Sequence, residues 1–209
     1  MAGPIYLHVD TSKLQGTIEK MRAVHTQREF ELLMMRAFRR TGQRVKTILK
    51  TQLPKDYHAK PSWIGQNVRS PQTQFGGFGG MAVSCTIPID GARGVLGRQF
   101  HAAGPRGRRS KSLKAYKITA RIVKAGSTTL PSAMPNQGGQ PPFIASGGTG
   151  GGIVFTRKGK ARLPIVRVVG LGVPQMPMNR SEDKVQDDIM DTLQRRIEHE
   201  HAYLISRCR

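Results

Sequence analysis

Acidic residues are missing from the middle of this 209-residue chain: no Asp or Glu occurs between Asp90 and Glu182. Residues 91–181 carry 16 Lys and Arg against none, residues 1–90 carry 13 against 6, and residues 182–209 carry 5 against 7, giving a net charge of +21. Metal-assisted hydrolysis draws on clustered carboxylates, so the central segment offers it little. Cysteine is scarce as well. Cys85 and Cys208 stand far apart, with neither zinc-site spacing nor the density of a disulfide scaffold, and this usage suits synthesis in a reducing cytoplasm. No run approaches the roughly 18 apolar residues that a membrane-crossing helix needs. The opening MAGPIYLHVD has no basic stretch leading into an apolar one, so neither a membrane span nor a secretory signal is expected. Aromatic residues make up 6% and hydrophobic residues 37% of the chain, which predicts a core of modest size with long loops. The chain has instead 24 Gly, 13 Pro and a basic centre that attracts polyanions, whether nucleic acid or an acidic protein surface.

Helical periodicity belongs to the two ends. After a short strand at 5–9, Asp10, Thr11 and Ser12 supply N-cap chemistry. Leu14, Ile18 and Met21 mark a first helical piece. A second carries Phe30, Leu33, Met34, Ala37, Phe38, Val45, Ile48 and Leu49 at the spacing of one buried face. Arg36, Arg39, Arg40, Arg44 and Lys46 cover the remainder, either as a solvated face or as one that binds anions. Gly42, at a cost of about 1 kcal/mol relative to Ala, marks a bend, and Pro54 is expected to end the helix. At the other end, a helix opens near Asn179-Arg180-Ser181 and places Val185, Ile189, Leu193 and Ile197 every fourth residue. Its acids come early and Arg195 and Arg196 late, the order the helix dipole favours. Such an acidic helix suits pairing with a basic face of its own chain or of a neighbouring copy.

Between the ends the elements are short. Pro61 to Val68 reads as a helical turn anchored by Trp63 and Ile64. Gln72 to Gly80, QTQFGGFGG, reads as a loop; its Phe75 and Phe78 either plug a neighbouring subunit or fold back on their own domain. Met81 to Ile89 alternates as a half-buried strand with Cys85, an inert thiol, on the apolar side. Tyr116, Ile118, Ala120 and Ile122 mark another strand. Gly91 to Lys114 and Gly126 to Gly139 read as long loops. The first is densest in charge at Arg106-Gly107-Arg108-Arg109-Ser110-Lys111 and is either simply solvated or ordered by a partner.

Catalytic patterns do not assemble. His199 and His201 are two apart, which on a helix points them to different sides rather than onto one metal. The run Gly147 to Gly152 suggests a phosphate cradle, yet Gly159-Lys160 is followed by Ala161 and sits in a hairpin, so the P-loop pattern fails. No catalytic residue, metal or cofactor is expected.

The hairpin is the most specific part. Ile153-Val154-Phe155 and the run Leu163 to Val169 flank the basic turn Thr156-Arg157-Lys158-Gly159-Lys160, and Val173-Pro174-Gln175-Met176-Pro177 leads to the last helix. In this order, and with Pro142-Phe143-Ile144-Ala145 before them, these pieces resemble the minor tail protein Z family of tailed phages and prophages, over roughly residues 141–205 and more loosely 28–53. The resemblance implies a virion protein made in the bacterial cytoplasm and acting in tail completion at the head-proximal end of the tail. It implies a homo-oligomeric ring, a hexamer by preference, around the DNA conduit and against adjoining neck and tail proteins.

The expected fold is α+β in one unit. An N-terminal helical part spans 10–54, a β-rich part 81–176 with loops at 91–115 and 126–140, and a C-terminal helix 180–205. A small antiparallel or mixed sheet is packed by the two long helices. Contacts to DNA or acidic partners are expected at Arg106, Arg108, Arg109, Lys111, Lys114, Arg157, Lys158 and Lys160. Subunit contacts are expected at Phe75, Phe78, Val173, Gln175 and Met176. The alternative is a dedicated nucleic-acid-binding protein acting through residues 91–181.

Overall fold

A computed structural model describes residues 15–75, 83–104, 118–131, 140–147 and 151–207. The expected strand at 5–9, the caps at 10–12 and the bases from Arg106 to Lys114 lie outside these residues. The architecture is α+β.

Helix α1 (Gln15–Val24) leads into α2 (Gln27–Asp56), which starts on a full capping box. The Thr26 hydroxyl accepts from the Glu29 amide, and the Glu29 carboxylate accepts from the Thr26 amide. The Thr26 hydroxyl also donates to that carboxylate at 2.7 Å, and this bond first, then the one from the Thr26 amide, holds the Glu29 carboxyl below its ordinary range. Phe30, Leu33, Met34, Ala37, Val45, Leu49 and Leu53 line the buried face, as the spacing predicts. Pro54 does not end α2. It lies inside the helix, which continues to Asp56 before Tyr57 caps it in an extended conformation. Nor does Gly42 interrupt the helix. A Cβ there would lie 2.7 Å from Cys85 Sγ and 2.8 Å from Pro71 Cβ, so the glycine lets a strand pair approach the helix backbone. The short helix α3 (Pro61–Asn67) buries Trp63 and Ile64.

The last helix, α4 (Glu182–Arg207), follows a π-helical turn at Pro177–Ser181 and buries Val185, Ile189, Leu193 and Ile197. It runs antiparallel to α2, as the polar rungs between them show. His201 meets His25 at 2.7 Å, Glu200 pairs with Arg40, Asp188 accepts from Gln52, and Ser181 donates to Asp56 at 2.8 Å. The core divides accordingly. A small cluster of Met21, Phe30, Leu33, Met34, Ala37, Leu193 and Ile197 fills one end of the pair, and the rest of α2 and α4 joins the main core with the strands.

The histidine rung makes this end sensitive to acid. Its bond needs an acceptor nitrogen, so one ring must stay neutral. Burial first, then the nearby His25 charge, hold the His201 imidazole below its ordinary value. A group whose folded pKa is depressed in this way binds fewer protons when folded. Its stabilising contribution is present above the unfolded value of about 6.5 and is lost as pH falls below it. The melting temperature is therefore expected to drop between pH 7.5 and pH 5.5, and His201→Asn to flatten that drop. An unchanged pH profile in the variant would assign the acid sensitivity elsewhere.

The strands are short and antiparallel. Strand β1 (Gln72–Phe75) pairs with β2 (Val83–Thr86), setting Thr73 opposite Cys85. Residues 72–75 are thus strand, not loop. Residues 93–103, also expected as loop, contain β3 (Arg93–Val95) and β4 (His101–Ala103) with Leu96 and Phe100 buried. Strand β4 joins β5 (Thr119–Arg121) and β6 (Thr128–Thr129) in the order β4-β5-β6, which places one two-residue strand inside the loop expected at 126–140 as well. The third group is β7 (Phe143–Gly147), β8 (Gly151–Arg157) and β9 (Ile165–Arg167), in that order. Strand β10 (Val169–Gly172) pairs with β3 instead. The expected strand from Leu163 to Val169 is therefore broken at Val168, for a reason visible in the backbone. The Leu96 amide donates to Val168, that of Val168 to Val154, and that of Val154 to Leu96, at 2.9–3.2 Å. All three residues are buried, and this triangle stitches the two strand groups together. Among the described residues the strands thus form four small groups rather than one sheet.

Cys85 is half-buried, and burial pushes its thiol above the ordinary range. That suits the inert role expected of it.

Candidate polyanion-binding face

The strand group β7-β8-β9 has one face inside and one outside. Ile144, Val154 and Thr156 point inward and are buried. Because side chains alternate along a strand, Phe143, Ile153, Phe155, Arg157, Ile165 and Arg167 share the outer face. The register places Phe143, Phe155 and Arg167 in one row across the three strands, and Arg157 opposite Ile165 in the next. The two phenylalanine rings are stacked, with centroids 6.1 Å apart and planes 28° apart. The Arg157 guanidinium lies 5.5 Å from the Phe143 centroid, a cation–π contact worth about 0.5–1 kcal/mol at such a site. Neither phenylalanine belongs to either core cluster or packs against one. They are half-exposed aromatics outside the core formed by the described residues.

The turn after β8 completes the face. The Lys158 amide donates to the Pro164 carbonyl at 3.1 Å, closing a loop that contains a cis Leu163–Pro164 bond. Lys158, Lys160 and Arg162 are exposed on it, together with Leu163 at 68% and Ile165 at 40%. Among the described residues the ion pairs are Arg40–Glu200, Arg69–Asp90 and Lys184–Asp56, so none of the bases on this face is neutralised there. Five cations at one edge of a sheet raise the local potential well above that of scattered surface charges.

Of the expected contact residues, the structure therefore brings Arg157, Lys158 and Lys160 together. Arg106, Arg108, Arg109, Lys111 and Lys114 lie outside the described residues, as do Phe78 and the side chain of Phe75, whose backbone ends β1. Two expected subunit contacts are corrected. Val173 and Met176 are each 0% exposed within their own chain. The Tyr57 hydroxyl donates to the Met176 carbonyl at 2.9 Å, so this exit segment is pinned to the end of α2 instead of being offered to a neighbour. Gln175 is exposed, and its side chain accepts from the Gly172 amide at 3.1 Å.

A second basic cluster gave no signal along the chain. His101 stands opposite Arg121 on β4 and β5, and the His58 ring lies 6.4 Å from that of His101. Burial first, then the charges of Lys124, Arg121 and His101, push the His58 imidazole below its ordinary value. The β4–β5 pairing, with the bonds from the His58 amide to the Ile122 carbonyl and from the Lys124 amide to the Asp56 carbonyl, both 2.8 Å, joins these four residues, which are separated by up to 66 positions in sequence.

Comparison with protein families, curated proteins and solved structures finds no match for this chain. The geometry of the outer face stands on its own as the lead to function.

Proposed function

We propose that this chain is a structural component of a tailed-phage virion, acting without catalysis in tail completion at the head-proximal end of the tail. In this reading copies assemble as a ring around the DNA path, against adjoining neck and tail proteins. The basic outer face of β7-β8-β9 carries the reading: five unneutralised cations on a small, well-tethered sheet are suited to a passing polyanion. Support also comes from the order of elements. The Phe143-Ile144-Ala145 and Ile153-Val154-Phe155 pieces are strands, Lys158 to Lys160 is a turn, Ile165 opens a strand, and Val173 to Met176 leads into the final helix. That is the sequence of parts on which the resemblance to the minor tail protein Z family rests.

Localising the chain in purified particles tests the proposal. A tagged copy, imaged in intact tails, is expected as ring-shaped density next to the head. A particle without the chain, or with it elsewhere, removes the proposal.

The stacked phenylalanines beside arginines favour a second reading, a nucleic-acid-binding protein that acts on its own. It predicts that the isolated chain binds DNA with a steep salt dependence. Neutralising Arg157, Lys158 and Lys160 should then reduce the slope of log K against log salt by roughly one for each phosphate that the face no longer neutralises. An unaltered slope would exclude this face from DNA binding.

A further inference from the structure

We infer that the row Phe143–Phe155–Arg167, with Arg157 beside it and Lys158, Lys160 and Arg162 at its edge, is a binding platform for single-stranded nucleic acid. The inference rests on the polyanion-binding reading of this face and commits it to one ligand class. Four observations carry it. The rings lie on neighbouring strands in direct register, so they form one surface. They are stacked upon each other and, among the described residues, lie outside both core clusters. Arginines stand at both ends of the pair, Arg157 by Phe143 and Arg167 opposite Phe155. The exposed turn supplies three further bases within a few residues.

These parts have distinct tasks on a single strand. Bases stack on aromatic faces whatever their identity, and the cations follow the backbone phosphates. A guanidinium already seated on Phe143 can remain against a base that stacks there, since it is planar and weakly hydrated. A duplex cannot use the same surface fully, because its base faces are closed within the helix.

That difference fixes the sign of the test. Charge alone favours a duplex, which carries more phosphate per unit length and releases more counterions. Stacking alone favours unpaired bases. The two contributions therefore predict opposite preferences.

The experiment measures fluorescence anisotropy of a labelled oligothymidine of about 20 nucleotides and of a duplex of about the same length, with the full chain at about 50 and about 200 mM salt. The single strand is expected to bind about tenfold tighter than the duplex at the higher salt, where charge contributes least. Phe143→Leu and Phe155→Leu keep an apolar side chain but remove the ring. Each is expected to weaken single-strand binding about tenfold, with an unchanged salt slope and a melting temperature lowered by no more than about 4 °C, the effect of losing the ring–ring and cation–π contacts. Lys158→Gln with Lys160→Gln is expected to do the reverse, lowering the slope while retaining the single-strand preference.

Equal or tighter duplex binding overturns the inference but leaves the neck reading standing, since a conduit for duplex DNA needs only charge. Leucine variants that bind as well as the parent overturn it too, as does failure to bind either oligonucleotide. Displacement of the single strand by polyglutamate at equal charge would assign the face to an acidic protein.

Discussion

Gly97→Ala is expected to destabilise the fold by about 3 kcal/mol, the combined effect of a strained backbone and an overpacked contact. Gly97 has φ +84° and follows the buried Leu96 at the corner where the backbone triangle of Leu96, Val154 and Val168 closes. Side chains avoid that backbone region. Space is the second obstacle: a Cβ on Gly97 would run into the carbonyl of Gly152, a backbone atom that no rotamer change can move. Gly152 in turn has Ile144 packed where its own Cβ would be. The glycine run that looked like a phosphate cradle thus contains, at Gly152, a residue kept small by strand packing. Urea denaturation should show a lower midpoint at unchanged slope. Gly126→Ala is the control, since nothing lies within 4 Å of a Cβ there, and its effect should stay within about 0.5 kcal/mol. A loss under about 1 kcal/mol at Gly97 would mean that β3 and β8 can separate at little cost.

The second large effect is expected at Arg40. Its partner Glu200 has a side chain only 3% exposed, whereas that of Arg40 is 47% exposed. Removing the arginine leaves a buried carboxylate without its counter-charge. Arg40→Leu should therefore cost about 3 kcal/mol at neutral pH, the lower end of the range for breaking a buried pair because water screens the arginine side. The double variant Arg40→Leu, Glu200→Leu removes both charges and should return to within about 1 kcal/mol of the parent, since apolar replacement of a buried pair is often neutral. Thermal or chemical denaturation of the two variants separates the outcomes. A single variant as stable as the parent would show that Glu200 does not depend on Arg40.

The helices were legible because their period repeats many times: Val185 to Ile197 shows four turns of one buried stripe, and α2 shows more. The strands from β3 to β6 are two or three residues long, too short for alternation to stand out. In β3, Arg93-Gly94-Val95 has the composition of a loop, and only pairing with β10 makes it a strand. Pro54 misled for a different reason. Proline removes one helical hydrogen bond, but the apolar stripe through Leu53 and the pinned Tyr57 hold the last turn in place. Val173 and Met176 read as interface residues because the core that buries them, and the tyrosine that pins their segment, lie far away in the chain. The basic turn of the candidate face was evident from Arg157, Lys158 and Lys160. Its aromatic row was not, since Phe143 and Phe155 are joined only by strand register.

The pairing of α2 with α4 also bears on the order of events as the chain is made. The bond from Gln52 to Asp188 spans 136 positions and that from Arg40 to Glu200 spans 160. A ribosome releases α2 more than a hundred residues before α4, so Leu33 and Met34 wait through that interval for Leu193 and Ile197 to cover them. Contacts this distant in sequence form slowly, and the waiting surface is open to self-association. Covering that surface belongs to the 26-residue helix α4, so loss of that segment at the ribosome should yield insoluble chains, not a smaller folded protein.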